Sequence, residues 1–294
     1  MALVRFSHNG VPTLGVDTDD GIRPLELTLA ELLALPLDQA QTLVQTVQAD
    51  PVDASWLLPP VDVQEVWAAG VTYRRSRDGR IEESGNETLY DHVYASARPE
   101  IFFKSTAGRV VTDQQPVGIR ADSGWDVPEA EIGLVINSAG EIFGFLVGND
   151  MSSRSIEGEN ALYLPQAKVY EASCALGHRI VGVWEAPELP LAVSVSITRD
   201  GEQVYSAHTD SSAMKRGFEE LVDWLTLAMP FPDGVVLLTG TGLVPDSSFT
   251  VRAGDLITVQ IDGVDSLTNP VITVGGSAPD PVRTDGDRSS SLAR

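Results

Sequence analysis

The chain has 294 residues, 43% of them hydrophobic, enough to bury the core of one large domain or of a large domain with a small companion. Its 42 Asp and Glu against 20 Lys and Arg give a formal net charge of −22. That balance excludes the clustered cations a nucleic-acid phosphate backbone requires, and it disfavours an anionic membrane surface. A small anionic substrate would need a local cation, which a bound metal ion supplies. The single cysteine, Cys174, excludes an intramolecular disulfide framework and fits a reducing cytosol. The start, "MALVRFSHNG", lacks the basic segment and apolar run of a secretion signal, and no run approaches a membrane span. A soluble, cytoplasmic protein is expected.

The first 60 residues read as a small α/β unit. "ALVRF" and "TLGV" are predicted strands around the turn "HNGVP", and "TLAELLAL" a helix capped by Thr28, with Glu31 completing a capping box. A second helix starts at Asp38, and "LLPPVD" at 57–62 reads as a linker. From residue 61 to 275 the chain is rich in strands and loops. "EVWAAG" leads into an Arg-rich segment from Tyr73 to Arg80; "ETLYDHVYASA" reads as helical and "EIFFK" as a strand. Asp200-Gly201 marks a hairpin inside an alternating run. "KRGFEELVDWLTLAM" is an amphipathic helix with Phe218, Leu221, Val222 and Leu225 on one stripe. "VVLLTGT", "SFTVRAGD" and "LITVQIDGV" are expected as closing strands, and 276–294 has the composition of a disordered tail.

One strand departs from ordinary patterning. In "DVPEAEIGLVI", Glu129 and Glu131 stand two apart, so both side chains share a face with Cα atoms roughly 6.5–7 Å apart. Ile132, Leu134 and Ile136 take the opposite face. The pair alone also fits a solvent-facing strand edge. "EIFGFLVGND" returns across "NSAGE" as a hairpin and ends at Asp150, so three carboxylates from neighbouring strands can converge. Such a set suits Mg²⁺, Mn²⁺ or Ca²⁺ rather than zinc. Without a cation it would repel itself or take up protons.

These stretches, followed by "MSSRSIEGENALYLPQAKVYEASCALG", "LLTGTG" and "VRAGDLITVQIDGVDSLTNPV", resemble the fumarylacetoacetate hydrolase superfamily from about Val66 to Val271. "AGVTYRRSR", "RPEIFFK" and "IEGENALYLPQAK" are most similar to its 2-keto-3-deoxy-sugar-acid dehydratases, of the 2-keto-3-deoxy-D-arabinonate kind. The resemblance implies an α+β, mainly β fold, with a rolled β-sheet or β-sandwich behind the small N-terminal unit. It implies that Glu129, Glu131 and Asp150 hold a Mg²⁺ that chelates a 2-oxo acid. It places Lys168 beside the metal, Glu100 as general base and Thr268 close to the substrate, in a homodimer or homotetramer. A solvated surface role is the alternative for Lys168, and a strand-end charge for Glu100.

The segment "GVTYRRSR" separates reaction types. Carbon–carbon hydrolases of the superfamily read Gly-x-Asn-Tyr-x-x-His, and this chain has Thr72 and Ser76 where they have Asn and His. Hydrolysis thereby loses its base. Arg74 or Arg75 could meet a sugar-acid hydroxyl or carboxylate, an exposed arginine being the alternative, and Glu82 and Glu83 could sit on a lid. The expected function is Mg²⁺-dependent dehydration of a 2-keto-3-deoxy aldonic acid, a pentonate, to 2,5-dioxopentanoate. Two rivals stand beside it: a hydrolase or decarboxylase of acylpyruvate-type 2-oxo acids, and a non-catalytic binding protein for such acids.

Overall fold

The computed structural model describes residues 1–53, 56–76, 78 and 92–276. Glu82, Glu83, residues 87–91 of "ETLYDHVYASA" and all but the first residue of the 276–294 tail lie outside them. Three strands open the chain: β1 (Ala2–His8), β2 (Val11–Thr18) and β3 (Gly21–Pro24). Helix α1 (Leu29–Leu33) starts at Thr28, whose hydroxyl accepts from the Glu31 backbone N–H while the Glu31 carboxylate accepts from Thr28 N–H. Both orphan donors at the helix start are thereby satisfied. Helix α2 (Leu37–Gln45) follows, and Leu57–Leu58, expected in a linker, form a short strand, β4, paired with β1.

Next come β5 (Glu65–Gly70), β6 (Glu100–Ser105), β7 (Val117–Arg120), β8 (Asp126–Val127), β9 (Ala130–Ile136), β10 (Ile142–Asp150) and β11 (Ser152–Ser153). Short helices α3 (Arg154–Glu159) and α4 (Leu164–Lys168) lead to β12 (Cys174–Leu176) and β13 (Arg179–Gly182). The hairpin of β14 (Ala192–Arg199) and β15 (Glu202–Asp210) turns at Asp200-Gly201, both at positive φ as a two-residue hairpin turn requires. Helix α5 (Phe218–Thr226) buries the expected stripe of Phe218, Leu221, Val222 and Leu225. The last strands are β16 (Val235–Leu238), β17 (Leu256–Ile261) and β18 (Asp265–Val274). "SFTVRAGD" is not a strand. Asp255 instead accepts from Arg252 N–H and pairs with Arg199, which folds that segment into turns.

The fold is α+β and mainly β, built from mixed sheets that do not close. Eleven described strands form one sheet, with the path β3-β2-β1-β13-β10-β9-β16-β5-β6, β4 joined to β1 and β12 to β10. Five form a second sheet, β15-β14-β17-β18-β7. Alternation along β9 divides its side chains between two cores. Ile132, Leu134 and Ile136 pack with Val193, Val195, Ile197, Ile257 and Val259 of the second sheet and with α5. Val135, with Leu146, Val236 and Leu238, packs with Leu29, Leu32 and Leu33 of α1 and with Ala40 and Val44 of α2. The chain's central strands are therefore covered on both faces. Among the described residues no helix is long and apolar enough to cross a membrane.

Candidate metal centre and active site

The hairpin β9–β10 aligns Glu131 with Gly148 and Ala130 with Asn149. The ladder continues one residue further, since Glu129 and Asp150 exchange both backbone hydrogen bonds, at 2.9 and 3.2 Å. Directly opposed residues share a face, so Glu129, Asp150 and Glu131 point the same way. One oxygen from each lies within 4.8 Å of the others, and all three residues are buried. The solvent-facing edge is ruled out, because β9 has β10 on one side and β16 on the other.

Each carboxylate has a distinct environment. Glu131 Oε2 accepts from the Gly240 backbone N–H at 2.6 Å, while its buried Oε1 has no hydrogen-bond partner among the described residues. Gly240 sits at φ +89°, and a side chain there would collide with the Thr72 hydroxyl, which donates to Thr239 O at 2.7 Å. "TGTG" is therefore a backbone donor loop aimed at Glu131. Glu129 receives Arg154 Nη2 at 2.7 Å and Lys168 Nζ at 2.9 Å. Asp150 receives Lys168 Nζ at 3.0 Å and, on its other oxygen, Lys104 Nζ. Burial first, then the charges of Asp150 and Glu129, push the Glu131 carboxyl well above the usual carboxylate range. An oxygen-rich, buried set with an orphaned oxygen fits a hard divalent cation, which would hold all three groups ionised.

Lys168 is fully buried at the end of α4, with its ammonium 2.6 Å from Ser152 Oγ and 5.5 Å over the Phe102 ring. The solvated surface role is thus excluded. Glu100, at the start of β6, is half-buried and lies against Gly70, where any side chain would strike its carboxylate. Period-two alternation sets Glu100, Phe102 and Lys104 on one face of β6. Ser76 is buried, and its hydroxyl donates to Tyr73 O at 2.7 Å and accepts from Tyr73 N–H at 3.1 Å. That hydroxyl is spent on its own turn.

Two expected contacts are not among those described. Arg74 is exposed and lines, with Tyr73, Arg75, Asp78, Thr209 and Gly242, a cavity of about 320 Å³. Thr268 bonds through its N–H to Asp113 and through its hydroxyl to Thr258, and no described contact joins it to the three carboxylates. Conversely, Lys104 has no part in the reading of the sequence, and Arg154, expected only to shape the turn after Asp150, pairs with Glu129. Lys104 carried the signal that singled out the glutamates, since Glu100 and Lys104 place two charges on one strand face. Arg154 carried none, because its pairing with Glu129 spans the whole β9–β10 hairpin and closes only on folding.

Comparison with known proteins agrees with this geometry. Residues 65–272 match the family model described as fumarylacetoacetate (FAA) hydrolase C-terminal. A Haloferax volcanii protein named "Probable 2-keto-3-deoxyxylonate dehydratase" is 48% identical over 235 residues, covering 78% of this chain and 81% of its own. The Saccharolobus solfataricus 2-dehydro-3-deoxy-D-arabinonate dehydratase is 35% identical over 236 residues, covering 79% and 78%. Among solved structures, a 2-keto-3-deoxy-D-arabinonate dehydratase complexed with magnesium and 2,5-dioxopentanoate superposes with a TM-score of 0.79. It is 30% identical and covers 93% of this chain and 99% of its own.

Proposed function

This chain belongs to the fumarylacetoacetate hydrolase family, and we propose that it is a dehydratase converting a five-carbon 2-keto-3-deoxy aldonic acid to 2,5-dioxopentanoate. The observation that carries this reading is the buried cluster of Glu129, Glu131 and Asp150, ion-paired through Asp150 with Lys104 of the strand that starts at Glu100. Ser76, engaged with the Tyr73 backbone, supports dehydration over hydrolysis, because no imidazole stands there to activate water. The names of the two similar dehydratases support the substrate class.

Glu129, Glu131 and Asp150 would hold Mg²⁺, with Mn²⁺ or Ca²⁺ as substitutes. When bound, that ion would fix the substrate's carboxylate and 2-oxo oxygen and make the carbon-3 protons more acidic. Glu100 takes one of these protons, and the carbon-4 hydroxyl leaves as water. A proton is then lost from carbon 5 and one returned to carbon 3, and the resulting enol tautomerises to the carbon-5 aldehyde. Lys168 holds the substrate's oxygens as negative charge develops on them. Arg74 and Thr268 belong to the proposal as contacts to the distal hydroxyls, made when substrate is bound. Residues 1–60 are the supporting unit, 61–275 the catalytic part and 276–294 a tail. The proposed protein is a cytoplasmic homodimer or homotetramer, which light scattering measures directly.

The test is a panel of 2-keto-3-deoxy pentonates and hexonates with Mg²⁺, followed by NMR. One pentonate should yield 2,5-dioxopentanoate, and acetylpyruvate should stay intact. Cleavage of acetylpyruvate into two acids, or saturation by every acid with no product, overturns the reading.

A further inference from the structure

Lys104 is a fully buried cation that the reaction above does not use. Its ammonium pairs with Asp150 Oδ1 and donates to the carbonyl oxygens of Met151 and Lys168. An ammonium has three donors, and here three acceptors surround it. It is therefore held between the last residue of β10, the residue after it, and the last residue of α4. Lys168 O, at the helix end, also accepts from Ser173 Oγ at 2.9 Å.

We infer that Lys104 is a positioning residue that sets the net charge of the metal centre, so that the loaded site receives an anionic 2-oxo acid. This rests on the metal-centre reading above. The ion pairs at the site bring Lys104, Lys168 and Arg154 onto Asp150 and Glu129, with Glu131 in the same cluster. Lys104 is thus one of three buried cations that offset these carboxylates when they hold a divalent ion. Removing its charge makes the loaded centre one unit more negative. A bound 2-oxo acid is then less well compensated, which is costly in a water-poor interior.

The same charge works against the metal. Lys104 repels a cation held at Asp150 and competes with it for Oδ1, while Lys168 donates to Oδ2. It thus weakens cation binding and strengthens anion binding. A residue that only held the fold together would shift both in the same direction.

The experiment uses the full chain with Mn²⁺ as the probe metal, counted by the paramagnetic resonance of free Mn²⁺, and pyruvate as the probe anion, titrated calorimetrically into Mn²⁺-loaded protein. Lys104→Met should bind Mn²⁺ about tenfold more tightly and pyruvate about tenfold or more weakly. That is the scale expected for one unit charge a few ångströms away in a partly screened interior. Lys104→Gln, which keeps donors but not charge, should repeat the pattern. Lys104→Arg should return pyruvate binding to within about threefold of wild type, because the charge is kept. Weakening of Mn²⁺ and pyruvate together in both neutral variants overturns the inference, as does unchanged pyruvate affinity. So does a failure of both neutral variants to fold while Lys104→Arg folds, or a wild type that binds no Mn²⁺. Opposed shifts in the neutral variants, with a wild type that dehydrates no 2-keto-3-deoxy pentonate, overturn the dehydratase reading and leave this inference standing.

Discussion

The β14–β17 pair and the β9–β10 hairpin are both antiparallel and both alternate by two, yet polar residues mean different things in them. Along β14, Val193, Val195 and Ile197 are buried while Ser194 and Ser196 are partly open to solvent. Water satisfies the polar face there, so its residues report only which side is outside. Along β9 every residue is buried, and β10 is buried from Phe143 onward. Polar groups in that hairpin have no water to fall back on. They must be paired by protein or by a bound ion. The glutamates are informative because they stand where the pattern offers no exposed face.

The comparison breaks most sharply at Glu131. Glu131→Gln should lower turnover by about three orders of magnitude and weaken Mg²⁺ by tens-fold, since a charged oxygen is lost from the cluster. Calorimetry with Mg²⁺ and a steady-state assay check this, and unchanged Mg²⁺ affinity would show that Glu131 is no ligand. Glu100→Gln should cost about 10²–10⁴-fold in turnover, the range of positioned general-base catalysis, while leaving pyruvate binding near wild type. Undiminished exchange of carbon-3 hydrogen with deuterated solvent in that variant would make Lys168 the next candidate base.

In the second sheet the effects should be energetic rather than catalytic. Ile257, fully buried opposite Ile197, should cost about 2–5 kcal/mol of stability as Ile257→Ala in urea titrations, with Mg²⁺ affinity unchanged. Ser194→Ala on the open face should stay within about 0.5 kcal/mol.

A pH-dependent effect concerns Asp126, buried beside the metal-centre strands. Burial, opposed by a hydrogen bond from Ser123, pushes its carboxyl up to about 6. A carboxyl whose folded value exceeds its unfolded one, near 3.9, binds more protons when folded between those values. Stability should therefore fall as pH rises from about 4 to 6, by about 3 kcal/mol at most. Asp126→Asn should remove this slope, and an unchanged slope in pH-dependent melting would assign it to another group.

Much of the site was legible before folding because its residues are local to two strands. Glu129, Glu131 and Asp150 follow from strand period and one hairpin, and both operate over a few residues. The capping box at Thr28, the turn at Asp200-Gly201 and the stripe of α5 were readable for the same reason. Lys104, four residues beyond Glu100 on one strand face, was readable by that rule and was passed over. "SFTVRAGD" misled because its β-rich composition lost to the pairing of Arg199 with Asp255.

By itself the sequence determined a mainly β chain, the face on which its unusual carboxylates stand and the loss of an imidazole at residue 76. Those depend on side-chain period and residue identity. The tertiary structure alone decided that these carboxylates are buried rather than open to water. It also alone brought Lys168, Arg154, Lys104 and the Gly240 N–H around them. Burial and charge pairing arise from contacts between segments as far as 109 residues apart, and no local pattern encodes which distant segment will arrive.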